Sequence, residues 1–187
     1  MKSKAAITYQ KIVYIFSIVF YLAVGSVVVG LLAAGEFKQP ELILPILIIL
    51  GSVPHILIFS ADRTRISYLV IGLVGLSFGI LFLCTKDSDL YNIDEVCMTW
   101  GVIDICRGTT EIVNIAPHLK HKKVGDIVEV AISTGDIVVG ILLCIHLQEG
   151  LTLHLIYLAT AFFITVIKNV VELILTRKRN AESSNNH

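Results

Sequence analysis

Residues 12–34, 42–59, 66–84, 96–116, 124–147 and 151–175 form six long, mainly apolar stretches of between 18 and 25 residues. An α-helix rises about 1.5 Å per residue and needs roughly 20 residues to cross the hydrocarbon core of a bilayer. Inside lipid, backbone N–H and C=O groups must be satisfied within the spanning element, so stretches of this length are read as helices. The chain is 55% hydrophobic and only 16% charged, with mean hydropathy +0.81, which excludes an ordinary soluble domain. The expected fold class is therefore all-α: a polytopic membrane protein of six transmembrane helices arranged as three helical hairpins. A single domain covers 1–176, and the tail 177–187 (RKRNAESSNNH) reads as disordered with its bases at the lipid headgroups. The second stretch is the shortest and carries Pro45 and Pro54, so it is read as a kinked helix, with a re-entrant segment as the alternative.

The charges fit six crossings. Eleven bases, Lys2, Lys4, Lys11, Arg63, Arg65, Lys120, Lys122, Lys123, Arg177, Lys178 and Arg179, fall in the two ends and the second and fourth connections. The other connections hold Lys38 and Lys86 beside seven acids, Glu36, Glu41, Asp87, Asp89, Asp94, Glu95 and Glu149. The positive-inside rule then places both termini in the cytoplasm, in a plasma or inner membrane. An odd number of spans would scramble this segregation. The first stretch is too long for a secretory signal and lacks a small-residue cleavage site before Glu36, so it is read as a retained helix. Fifteen bases balance fifteen acids with no basic patch among aromatics, which argues against a nucleic-acid partner.

Gly79-Ile-Leu-Phe-Leu-Cys84 recurs as Gly140-Ile-Leu-Leu-Cys144, and Gly30-Leu-Leu closes the first helix in similar register. Gly75 and Gly79 form a G-x-x-x-G pair, which permits close helix approach in lipid. The spacing suggests a threefold repeat of one hairpin unit, and simple membrane composition is the bland alternative. With Trp100-Gly-Val-Ile-Asp-Ile-Cys-Arg-Gly108, His118-Leu-Lys-His-Lys-Lys123 and Ile132-Ser-Thr-Gly-Asp-Ile-Val-Val-Gly-Ile-Leu-Leu143, this layout resembles the HdeD-type family of acid-resistance membrane proteins. The resemblance implies the three-hairpin architecture and a broad link to acid stress. It brings no catalytic or binding residues with it.

The helices of the second half carry polar stripes. Asp104, Arg107, Glu111 and Asn114 are spaced 3, 4 and 3 apart, as are Asp126, Glu129, Ser133 and Asp136; Thr165, Lys168 and Glu172 follow at 3 and 4. Such spacing places each set on one helix face. An ionised side chain at a helix centre costs about 2.5 to 3.5 kcal/mol on insertion scales, so the stripes are expected to face one another or a water-filled cavity opening inward. Arg107 can pair with Asp104, Glu111 or Asp136, and Lys168 with Glu172 or Glu129. Two bases cannot neutralise six acids, so some carboxyls must hold protons, pair with a cation or meet water.

Two functions are open on these residues. In the first, the stripe is a pathway or cavity for a proton, a cation or a small polar solute, in a transporter, channel or proton-linked sensor. In the second, the charges only lock helix packing in a non-catalytic scaffold or stress-response protein. A homo-oligomer suits both. No nucleophile, phosphate loop or metalloprotease motif points to an enzyme. No metal site or cofactor is expected: His118 and His121 sit beside three lysines, which would repel a cation. Cys84, Cys97 and Cys144 lie near the outer helix ends, where an oxidising compartment could join two of them, while Cys106 is mid-membrane; small apolar packing is the expected role of each. His146, Glu149 and His154 are read as solvated groups at the outer interface.

Overall fold

The computed structural model describes residues 4–35, 39–88, 92–116, 124–145 and 151–185, of which residue 4 and residues 176–185 are described by backbone alone. The lysines and histidines of 117–123, together with Lys2, Glu36, Lys38, Asp89, His146 and Glu149, lie outside the described residues. Six helices follow one another: α1 (Lys4–Ala34), α2 (Pro40–Ala61), α3 (Ile66–Thr85), α4 (Ile93–Ile115), α5 (Val124–Ile145) and α6 (Leu151–Asn185). No strand occurs among the described residues. Five of the helices are long and apolar enough to span a membrane. The exception is α4, whose 23 residues include Asp94, Glu95, Asp104, Arg107 and Glu111. It has the length to cross and hides its inner charges: Asp104, Arg107 and Glu111 are all buried in the bundle.

The outer surface shows the solvent for which the bundle is built. Val19, Ile66, Val113, Ile145 and Ile167 are each at least 55% exposed, an apolar shell that water would not tolerate and lipid would. The chain is a helical multi-pass membrane protein with apolar residues outward and charge inward.

The tightest helix pairs are α2 with α3, α4 with α5 and α1 with α6, and weaker contacts join the pairs into a ring. Glycine determines two of them. Gly72, Gly75 and Gly79 of α3 lie against Ile56, Ser52 and Ile49 of α2, and a Cβ at Gly79 would sit 3.1 Å from the Pro45 carbonyl oxygen. On α4 and α5, a Cβ at Gly101 would sit 2.5 Å from the Gly140 carbonyl oxygen, and one at Gly140 would sit 2.6 Å from that of Gly101. Gly79 and Gly140 thus do the same work, as their shared motif suggests. Gly30 does not, having nothing within 4 Å; in the third pair Gly25 faces Phe162 and Phe163 of α6 instead.

The second stretch is the helix expected of it, and the sixth helix runs beyond its apolar stretch. Despite both prolines, α2 is one continuous helix, so the re-entrant alternative falls. Pro40 opens the helix, where a missing N–H costs nothing, and the interior prolines are packed in the bundle. The backbone of α6 stays helical to Asn185. Arg177 to Asn185 contains no glycine or proline, and its Arg, Lys, Ala and Glu residues let an already nucleated helix propagate.

Candidate functional site

Between α3, α4, α5 and α6 lies a cavity of about 560 Å³. It is lined by Thr64, Arg65, Ser67 and Tyr68 at the start of α3, by Glu111, Asn114 and Ile115 at the end of α4, by Asp126, Glu129, Ile132 and Ser133 at the start of α5, and by Lys168, Val171 and Glu172 of α6. All of these lie toward the end of the bundle that bears the α2–α3 turn. The three polar stripes therefore converge on a vestibule, as their 3 and 4 spacing requires once the helices pack side by side.

The inner end of the vestibule is an ion-pair layer. Arg107 donates from Nη2 to Asp136 Oδ1 at 2.8 Å and from Nε to Asp136 Oδ2 at 3.2 Å. The same Nη2 lies 3.1 Å from Asp104 Oδ1 on its own helix. Lys168 Nζ pairs with Glu111 Oε2 and stands 3.6 Å from Asp136 Oδ2. Glu111 is held further by the Tyr68 hydroxyl, which donates to Oε1 at 2.8 Å, and by the Ser133 hydroxyl, which donates to Oε2 at 3.0 Å. The layer ties α3, α4, α5 and α6 together at one level. Close approach of α4 and α5 makes it possible: a Cβ at Gly108 would meet the Ser133 carbonyl oxygen at 2.5 Å.

Beyond the layer is a second, small cavity of about 30 Å³, lined in part by Tyr21, Ser52, His55, Asp104, Arg107 and Thr165. Trp100 and Phe162 line it as well, edge-on to each other at a centroid distance of 5.3 Å. The Tyr21 hydroxyl donates to the Gly51 carbonyl at 2.7 Å and lies 2.9 Å from His55 Nδ1.

At the mouth, Arg65 Nη2 donates to Glu172 Oε2 at 2.8 Å. Burial disfavours the charge on this guanidinium, but Glu172, Tyr68 and Tyr14 outweigh it and hold Arg65 above its ordinary value.

Of the nine sequence candidates, Glu111, Asn114, Glu129, Ser133, Lys168 and Glu172 line the vestibule, while Arg107 and Asp136 form its floor with Asp104. Two pairings are corrected. Lys168 pairs with Glu111 rather than with Glu172 or Glu129, and the partner of Glu172 is Arg65, which reads from sequence as a connection residue. The reason is rotational: the i, i+4 neighbour on α6 points to the mouth, whereas Lys168 points across to α4. Tyr68 was missed altogether; its position three residues after Arg65, on the same face, is the signal that would have found it. A polar line on α1, Gln10, Tyr14, Ser17 and Tyr21, was missed as well, although all four are buried. His154 is buried too, against the reading of a solvated interfacial histidine.

All four cysteines are free; Cys97 is buried, Cys84 and Cys106 exposed, and Cys144 Sγ donates to the Met98 carbonyl at 3.7 Å. No cluster of metal-ligating side chains occurs among the described residues. No protein-family model, curated protein or solved structure matches the chain, and nothing in these comparisons bears on the HdeD-type resemblance.

Proposed function

We propose that this membrane protein is a small transporter whose vestibule admits a small cation, protons included, from the cytoplasmic side. The observation that carries the reading is the asymmetry of the central axis: an acid-rich vestibule of about 560 Å³ at one end, and an ion-pair floor backed by packed aromatic rings at the other. A wide vestibule at one end that stops at an ion-pair floor is the arrangement alternating access requires. Charge favours a cationic guest. Among the described residues the cavity wall carries four acids, Glu111, Asp126, Glu129 and Glu172, against two bases, Arg65 and Lys168. Asp126 is buried, and its Oδ2 has no hydrogen-bond partner among the described residues. The cytoplasmic placement of the mouth follows the segregation of Lys and Arg.

The test is proton flux into proteoliposomes containing an entrapped pH-sensitive dye. Wild type should dissipate an imposed pH gradient well above the rate of empty vesicles. Asp136→Asn, and separately Asp126→Asn with Glu129→Gln, should slow it at least tenfold. Wild-type flux equal to that of empty vesicles would remove protons as the cargo, and a competing gradient of methylammonium then tests an organic cation. Flux of neither sinks the reading.

A second reading rests on a different observation: Arg107–Asp136 and Lys168–Glu111 each bridge two helices, and Arg65–Glu172 ties the α2–α3 turn to α6. A non-catalytic scaffold locked by these pairs, self-associating or not, would show the same stability losses on mutation and no flux.

A further inference from the structure

The buried floor contains three carboxyls, Asp104, Glu111 and Asp136, but only two bases, Arg107 and Lys168. All five are at most 8% exposed. A net negative charge at this depth has no compensation, and the cheapest remedy is to protonate one carboxyl. The geometry says which. Glu111 accepts from Tyr68 and Ser133 and pairs with Lys168, so both oxygens are engaged by donors. Asp136 receives two guanidinium nitrogens from Arg107, one on each oxygen, and has Lys168 at 3.6 Å. Each of those arrangements suits an acceptor-only carboxylate.

Asp104 is different. Its Oδ1 shares one nitrogen of Arg107 with Asp136, the Trp100 side chain stands beside the carboxyl, and its Oδ2, although buried, has no hydrogen-bond partner among the described residues. The carboxyl lines the 30 Å³ cavity together with Ser52, His55 and Thr165. That volume holds a water molecule, which needs about 10 to 15 Å³ by the same measure and two or more polar partners.

We propose that Asp104 is the proton-binding site of the intramembrane cluster, with the proton on Oδ2 donated to a single water in the small cavity. The groups that set this state come from every surrounding helix: Tyr21 of α1, His55 of α2, Tyr68 of α3, Arg107 and Glu111 of α4, Asp136 of α5 and Lys168 of α6. The assignment does not depend on whether the vestibule carries a solute, because the count of buried charges holds in a scaffold as well. It supplies a place where a proton can be taken up or released when the floor rearranges. Moving Arg107 wholly onto Asp104 would expel the proton, and moving it wholly onto Asp136 would retain it.

Infrared spectroscopy of the full chain in lipid tests the assignment. At neutral pH, wild type should show the C=O stretch of one protonated carboxyl per chain, downshifted in D2O. Asp104→Asn should abolish it, and Asp104→Glu should move it to a different frequency, whereas Asp136→Glu should leave the frequency nearly in place. Lys168→Gln, which removes a compensating base, should raise the signal to two protonated carboxyls. Absence of the band in wild type overturns the charge argument itself. A band unchanged in Asp104→Asn or Asp104→Glu assigns the proton to another carboxyl, Asp126, Glu111 or Asp136, and overturns the site. If Asp104→Asn does not fold, the wild-type and Asp104→Glu spectra still decide.

Discussion

Arg107 of α4 holds Asp136 of α5 through two guanidinium nitrogens, at 2.8 and 3.2 Å, in a setting where neither side chain is more than 5% exposed. Breaking such a buried pair from one side strands a charge and costs about 3 to 5 kcal/mol. Arg107→Ala is therefore expected to lower stability by that amount in a detergent melting assay, and Asp136→Asn by a similar amount. The double variant should recover at least about 1 kcal/mol relative to the sum of the singles. Strict additivity would remove the direct pairing.

Asp104→Asn should behave unlike Asp136→Asn. If Asp104 is already neutral, an amide replaces an acid of nearly the same shape, and the loss should stay within about 1 kcal/mol. A loss as large as that of Asp136→Asn in the same melting assay would mean that Asp104 is an ionised partner of Arg107.

Tyr68→Phe removes a donor to an ionised, buried Glu111 without changing the ring. A hydrogen bond to a charged group is worth about 1.5 to 3 kcal/mol, so chemical denaturation should show a loss in that range. Tyr9→Phe, which removes an exposed hydroxyl pair with Ser60, is the control and should be close to neutral.

Gly108→Ala places a methyl group against the Ser133 carbonyl oxygen of α5 and should cost about 1 to 3 kcal/mol as the helices separate. Gly30→Ala meets nothing within 4 Å and should be neutral or slightly stabilising. Equal effects at the two sites would show that α4 and α5 do not depend on backbone contact.

Membrane orientation and vestibule access can be read together by thiol labelling in a cysteine-free background. Ser183→Cys should react only from the cytoplasmic side, and Ser88→Cys only from outside. Asn114→Cys, on the vestibule wall, should react with a hydrophilic reagent from the same side as Ser183→Cys, and Ser52→Cys, buried beside the small cavity, from neither. Labelling of Ser183→Cys from outside would invert the topology.

The six-helix all-α architecture and the inward facing of the stripes were legible in the chain because both depend on one-dimensional quantities. Length against bilayer thickness identifies a helix, and 3 and 4 spacing collects Asp104, Arg107 and Glu111 on one face whatever that face meets. The surplus of acid over base was equally visible, since it is only a count. Rotation and partner choice were not. Whether Lys168 turns to Glu172 one turn along or to Glu111 across the bundle depends on how α6 is rolled in the bundle, and that is decided by packing such as Gly25 of α1 against Phe162 and Gly125 of α5 against Leu175. Arg65 and Tyr68 entered the site for the same reason: α3 is drawn close to α2 by Gly72, Gly75 and Gly79, which places its first turn over the vestibule. By itself the sequence determined that charge must be buried and left unbalanced. Only the tertiary structure decided which carboxyls of the floor are occupied by donors and which of those three, Asp104, keeps an oxygen for a proton, because hydrogen-bond satisfaction is a property of distances between helices rather than of spacing along them.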